Sequence, residues 1–377
     1  MARKRAKKWN DLHLRPRVES ITEDNVESNC SMTRKYFSKR SEFLRILILM
    51  MLWLHLYSNE DLFNGTCYEF LYWFNGNPFS YHFAKKFCSM CVPAYIFLSG
   101  YGLGKVYCKK ALSGQSMGNG KRCFNLYVRL WVIIAIFVPI GSYFNPEHYP
   151  CSMLELVENM MGISTYYNGT WWFLLPYIIL AMSSRYFIRY IMQFGKKGDI
   201  VNTFMLLVLS VFGYVAMAKV NDSIDIHMRL LAALMATLYL SFMFFVGIMF
   251  VKHNVIEKNI SRMATVSNAS RYSIIAVVVL IIGRLCMGNS ALLHIPFTPL
   301  IIISLATLLN GKSNKFLQLF GNHSTNMWLV HFFFITYIFD GQIYMLRYPV
   351  LIFVALVMVS LITSMVVNLI LRVTKLQ

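Results

Sequence analysis

The chain has 377 residues, of which 57% are hydrophobic and only 14% charged, with a mean hydropathy of +0.50. Soluble domains carry about 25% charged residues, so the composition excludes a soluble globular protein and predicts an all-α, polytopic bundle of membrane helices. The net charge of +19 invites a nucleic-acid partner, but its distribution along the chain argues against one.

Residues 1–40 are polar and basic with no apolar period. They read as a disordered cytoplasmic tail ahead of one membrane domain at 41–372. No short apolar core with a small-residue cleavage site precedes Phe43, so the first apolar run is expected to be an uncleaved helix. Ten spans are expected, at roughly 42–58, 87–107, 124–143, 171–192, 200–218, 230–251, 271–287, 292–309, 325–340 and 348–371. With the N-terminus inside, Lys85, Lys86, Lys219, Arg229, Arg284 and Arg347 are the six outward cations, which leaves 30 of the 36 Lys and Arg inside. That positive-inside bias predicts two cytoplasmic termini in the cytoplasmic membrane. The excess charge is then mostly topology, and the tail is available to anionic membrane lipid rather than to nucleic acid.

The first run, Phe43 to Tyr57 (FLRILILMMLWLHLY), places Arg45 and His55 where hydrocarbon should be. An ionisable side chain in a spanning helix costs about 2.5–3.5 kcal/mol on insertion scales and usually faces a polar cavity. Ten residues of helix rise roughly 15 Å, about half the hydrocarbon thickness. With Arg45 at one interface, His55 is expected near mid-membrane, where a neutral imidazole suits it to accept a proton from a hydroxyl. Glu60 and Asp61 follow closely, and either would orient the ring as a carboxylate does in a hydrolase triad.

The outer loop 59–86 is rich in aromatic residues (EFLYWFNGNPFSYHF) and fits an interfacial segment. Cys88 and Cys91 form a lone CxxC with no partner motif, which reads as two buried thiols rather than half of a metal site. In the next span, Ser99, Gly100, Gly102 and Gly104 remove side-chain bulk. They permit either close helix packing or passage of a thin ligand. Lys121 and Arg122 open the third span and Arg129 lies two turns further in, inside the apolar register, so this cluster is a candidate phosphate-binding group. The outer loop 142–170 carries three glutamates and no Lys or Arg, with an amphipathic or re-entrant stretch expected around Leu154 to Met161. It ends in Asn168 to Leu174 (NGTWWFL), where Trp171 and Trp172 start the fourth span. Pro296 and Pro299 should bend or delay the eighth span. Late in the chain, Asn322 to His331 (NHSTNMWLVH) supplies a second intramembrane histidine, His331.

Taken in order, these segments resemble the integral-membrane acyltransferase-3 family. The resemblance rests on Leu44-Arg45 to His55, Pro93 to Tyr101 with its Ser-Gly-Tyr, Lys121 to Arg129, Trp172-Phe173-Leu174, and Gly321 with Ser324 leading to Trp328-Leu329-Val330-His331. It covers about 41–371. The chain departs from the family pattern in an Arg-to-His spacing of ten residues, in a carboxylate displaced to Glu60 or Asp61, and in Asn125 and Val128 within the basic segment. The resemblance implies transfer of an acyl group, usually acetyl, to a hydroxyl of a cell-surface or lipid-linked carbohydrate. Acetyl-CoA would be the donor substrate, with no permanently bound cofactor. Its phosphates would meet Arg45, Lys121, Arg122 and Arg129, and its arm would pass Ser99 and Gly100 to His55. Asn168, Trp171, Trp172 and His331 would line the acceptor side. The alternative of a different class is a transporter or flippase of a lipid-linked glycan, which would also use intramembrane Arg and His.

Overall fold

The computed structural model describes residues 45–375 apart from 64, 75, 113–116, 221–225, 310–314 and 340. The tail expected at 1–40 lies outside the described residues. Among these residues the chain is helical, with no strand beyond one isolated bridge between Tyr72 and Pro78.

The helices follow the apolar runs. We number them α1 Arg45–Tyr57, α2 Phe79–Lys86, α3 Cys91–Leu112, α4 Gly120–Phe144 and α5 Met153–Met161. Then come α6 Leu174–Met192, α7 Lys196–Val220, α8 Ile226–Lys252, α9 Val255–Ala264 and α10 Ala269–Cys286. The last three are α11 His294–Leu308, α12 Lys315–Phe332 and α13 Pro349–Val373. Among the described residues, eight helices are long and apolar enough to cross a membrane. They account for eight of the ten expected spans and make the chain a multi-pass membrane protein. The other two expected spans are α1, whose described part is a shorter apolar helix, and α12, whose Asn322, His323, Ser324, Thr325 and Asn326 dilute its apolar character. Chain breakers act where expected: α11 starts only at His294, after a 3-10 turn at Ala291–Leu293, and carries Pro299 inside it.

α8 is the hub, packed along α7, α3 and α6. Its contact with α3 is a backbone-to-backbone crossing. A Cβ on Gly100 would lie 2.1 Å from the Phe244 carbonyl oxygen, and one on Gly247 would lie 2.2 Å from that of Phe97. α12 and α13 pair with each other and with α4. α1 buries Ile48, Met51, Leu52 and Leu56 against Met327, Ile352 and Leu356 of that pair. α10 and α11 pack together, and α11 also contacts α3.

The outer loop 142–170 is well organised. Ser152 caps α5 by accepting from the Glu155 N–H, and Gly162 at φ 75° closes it in the left-handed conformation, the conformation glycine adopts at least cost. α5 is amphipathic with its polar side turned inward. Glu158 and Asn159 are buried, while Met153, Leu154, Val157 and Met161 are exposed. The aromatic loop before α2 likewise exposes Phe70, Leu71, Tyr72 and Phe74. Cys88 and Cys91 are buried free thiols.

Candidate active site

α1, α3, α4, α6 and α12 surround a cavity of about 240 Å³. α1 contributes Met51 and His55, and α3 contributes Cys91, Tyr95 and Ser99. α4 contributes Arg122, Asn125 and Arg129, and α12 contributes Ser324, Thr325 and Trp328. Thr170, Trp172, Phe173 and Tyr177 close the remaining side. The fold therefore brings His55, Ser99, Arg122, Arg129 and Trp172 to one cavity, from positions spread over more than a hundred residues.

His55 is half-buried and faces a fully buried His331 across 276 residues of sequence. The two rings meet through His55 Nδ1 and His331 Nε2 at 3.0 Å, and His331 Nδ1 lies 2.7 Å from the Trp328 carbonyl oxygen. A carbonyl only accepts, so His331 carries its proton on Nδ1. With His331 neutral, its Nε2 accepts, and His55 must donate from Nδ1. That order of donors leaves the lone pair of His55 on Nε2, the nitrogen that the pair does not use. Phe332 packs edge-on against His55 at 5.6 Å. Just past His331 the backbone widens into a π-helical turn at Phe333–Tyr337, a distortion frequent at functional sites.

The segment Asn168–Phe173 secures this part of α12. The Asn168 side-chain amide and the Trp171 indole both donate to the Leu329 carbonyl, at 3.1 and 3.0 Å, two residues before His331. Asn168 Oδ1 also accepts from the Thr170 backbone and hydroxyl. Both Asn168 and Trp171 are fully buried.

Also lining the cavity, Arg122 lies in the first turn of α4 with its guanidinium over the Tyr177 ring at 5.7 Å. Arg129 is seven residues on, roughly 10 Å along the helix. It donates to Asn326 and Asn368 at 3.0 and 2.8 Å, so amide oxygens of α12 and α13 hold it without neutralising its charge.

Other expected site residues are placed differently. Glu60 and Asp61 sit on the single helical turn Glu60–Phe63 beyond the end of α1, both exposed. The partner of the His55 ring is His331 rather than either carboxylate. His331 itself stands behind His55 instead of on the cavity wall. Gly100 gives its space to the Phe244 backbone and leaves no gap for a ligand. Lys121 is exposed at the foot of α4, and Arg45 is buried outside the cavity wall. Asn168 and Trp171 are spent on holding α12, so of the expected acceptor residues only Trp172 faces the cavity. Tyr95 and Tyr177 line it without having been singled out, and Trp328, named only within the segment leading to His331, lines it too. As aromatic residues in apolar spans, they carry no mark in the sequence that separates a wall from a core.

A search of curated proteins and a search of solved structures each returned no match. The model of one protein family, described as an acyltransferase domain, matches residues 42–369. That match spans nearly all of the membrane bundle and every residue of the cavity, and the chain belongs to the acyltransferase-3 family.

Proposed function

We propose that the protein is a membrane-embedded O-acyltransferase that moves an acetyl group from acetyl-CoA to a hydroxyl of a cell-surface or lipid-linked carbohydrate, with His55 as general base. The reading rests on one observation above all: His55, hydrogen-bonded from behind by His331, lines a cavity that Arg122 and Arg129 also line.

The cavity's size fits this assignment. About 240 Å³ is below the roughly 300–1,000 Å³ of pockets for drug-sized ligands. It suits a thin acyl-pantetheine arm, with the nucleotide left at the Arg122 end. Arg122 and Arg129 are the donor-side cations. The acceptor oxygen attacks the thioester carbon while His55 Nε2 takes the hydroxyl proton. The carbon–sulfur bond then breaks and the proton passes to the departing sulfur. As His55 becomes positively charged, its Nδ1–H still donates to His331, whose own Nδ1–H donates to the Trp328 carbonyl. The pair thus fixes the ring and disperses its charge in the role a carboxylate takes elsewhere.

The test is single-turnover release of CoA thiol from acetyl-CoA by purified protein with a carbohydrate acceptor present. Wild type should consume the thioester, and His55→Ala should lose at least about 10²–10⁴-fold, the usual contribution of a general base. Arg122→Ala should mainly raise the donor KM. A transporter would leave acetyl-CoA intact, and wild-type turnover in His55→Ala would end the proposal.

A further inference from the structure

A second cavity, of about 440 Å³, lies on the other side of Trp172. Among the described residues, Trp172 is the one that lines both cavities. The larger one is built from the outer loop 142–170 and from the α7–α8 end of the bundle, with His148, Tyr166, Tyr337, Arg229 and Ala233 in its wall. These are the chain segments that the charge distribution places on the outer side. Nothing in the mechanism above uses this space.

Three features of its wall describe what it would hold. His148 stacks on Tyr166 with ring centroids 4.3 Å apart and planes 8° apart, and together with the Trp172 indole this gives flat, partly apolar faces. The Tyr337 hydroxyl accepts from the Gly169 N–H at 3.1 Å, which leaves its own proton to donate. Arg229 is bound by Glu155 at 2.9 Å and Glu158 at 2.6 Å. Neither carboxylate lines the cavity, but together they occupy the one Lys or Arg among the described residues that does, and the outer loop supplies no other Lys or Arg. The wall suits a ligand with an apolar ring face and hydroxyls, and among the described residues it offers an anionic group no Lys or Arg that is not already paired. An uncharged sugar has that character; a phosphate or uronic acid does not.

We propose that this cavity is the acceptor site, that it takes an uncharged sugar, and that the Trp172 indole is the partition across which the sugar hydroxyl meets the donor thioester. The proposal rests on the smaller cavity holding the acyl donor. It adds a reason for the indole's position: a wall between the outer side and the thioester keeps water from taking the acyl group. If that wall is opened, water replaces the sugar as nucleophile. His55 takes the water proton, the carbon–sulfur bond breaks, and acetate and CoA thiol are released.

The experiment uses full-length protein in lipid nanodiscs, with binding of a non-hydrolysable thioether analogue of acetyl-CoA as the control. Trp172→Ala should raise acetyl-CoA hydrolysis without acceptor above the wild-type rate while the analogue still binds; Trp172→Leu is the second variant should the first fail to bind it. Adding Ala233→Trp, which fills the larger cavity, should return hydrolysis to the wild-type rate. Methyl glucoside should divert acetyl from water to its own hydroxyl, and methyl glucuronide should not. Unchanged hydrolysis in both Trp172 variants, or no suppression by Ala233→Trp, overturns the partition. Equal diversion by the two sugars, or by neither, overturns the neutral-sugar assignment. Failure of wild type to bind the analogue would instead remove the donor reading under Proposed function.

Discussion

His55 was legible because an ionisable side chain inside an apolar run is expensive, and that cost marks it whatever the fold. Its partner was not. Sequence proximity favours Glu60 and Asp61, but α1 ends at Tyr57 and the chain turns away, leaving both carboxylates exposed. The group that does meet His55 is His331, 276 residues distant, and only the packing of α1 on α12 brings the two together. The pairing makes His331 a positioning residue with a specific signature. His331→Ala should lower kcat by about 100-fold, the low end of the range for general-base catalysis, with little change in donor KM. His331→Gln, which keeps an oxygen to accept from His55 Nδ1–H, should retain more of the rate than His331→Ala. Steady-state kinetics on the two variants separate positioning from loss of fold, since a merely structural role would not rank them this way.

Among the elements, helix positions followed from apolar runs, prolines and glycines, whereas the use of small residues did not. Ser99 and Gly100 are adjacent in sequence and 100° apart on the helix. One turns to the cavity and the other against α8, where its missing side chain lets two backbones touch. Which face meets which neighbour is decided by the crossing of α3 and α8, and that information lies in neither helix alone. Gly100→Ala forces a Cβ to within 2.1 Å of the Phe244 carbonyl, and backbone has no rotamer with which to yield. Overpacking of this kind costs about 1–3 kcal/mol, so thermal unfolding in detergent should show a lower midpoint than wild type. Trp171 and Trp172 make the same point. The expectation of outer-side tryptophans suits both, yet Trp171 is consumed by its bond to Leu329 while Trp172 faces open space.

For the molecule as a whole, composition alone was enough to give a helical membrane bundle, because 57% hydrophobic residues cannot be buried in one soluble core. Span counting was less direct. α12 carries the polar run Asn322–Asn326, and its membership of the bundle follows from its pairing with α13 rather than from its hydropathy. Orientation is carried by the 30 of 36 Lys and Arg that fall on one side of the expected topology. Both ends of the chain should therefore lie in the cytoplasm. Reporter fusions check this: a fluorescent protein at either terminus should mature and shine, and alkaline phosphatase at either terminus should stay inactive. Activity of the phosphatase at one end would require an odd number of crossings.

α5 has a property that ordinary amphipathic helices lack. Its oily residues Met153, Leu154, Val157 and Met161 point away from the protein, while Glu155 and Glu158 reach inward to grip Arg229. In a bilayer its outward side would meet acyl chains, while its inward side holds Arg229 in the wall of the second cavity. Bilayer thickness is then expected to act on this wall through α5, and turnover in nanodiscs of differing acyl-chain length checks it.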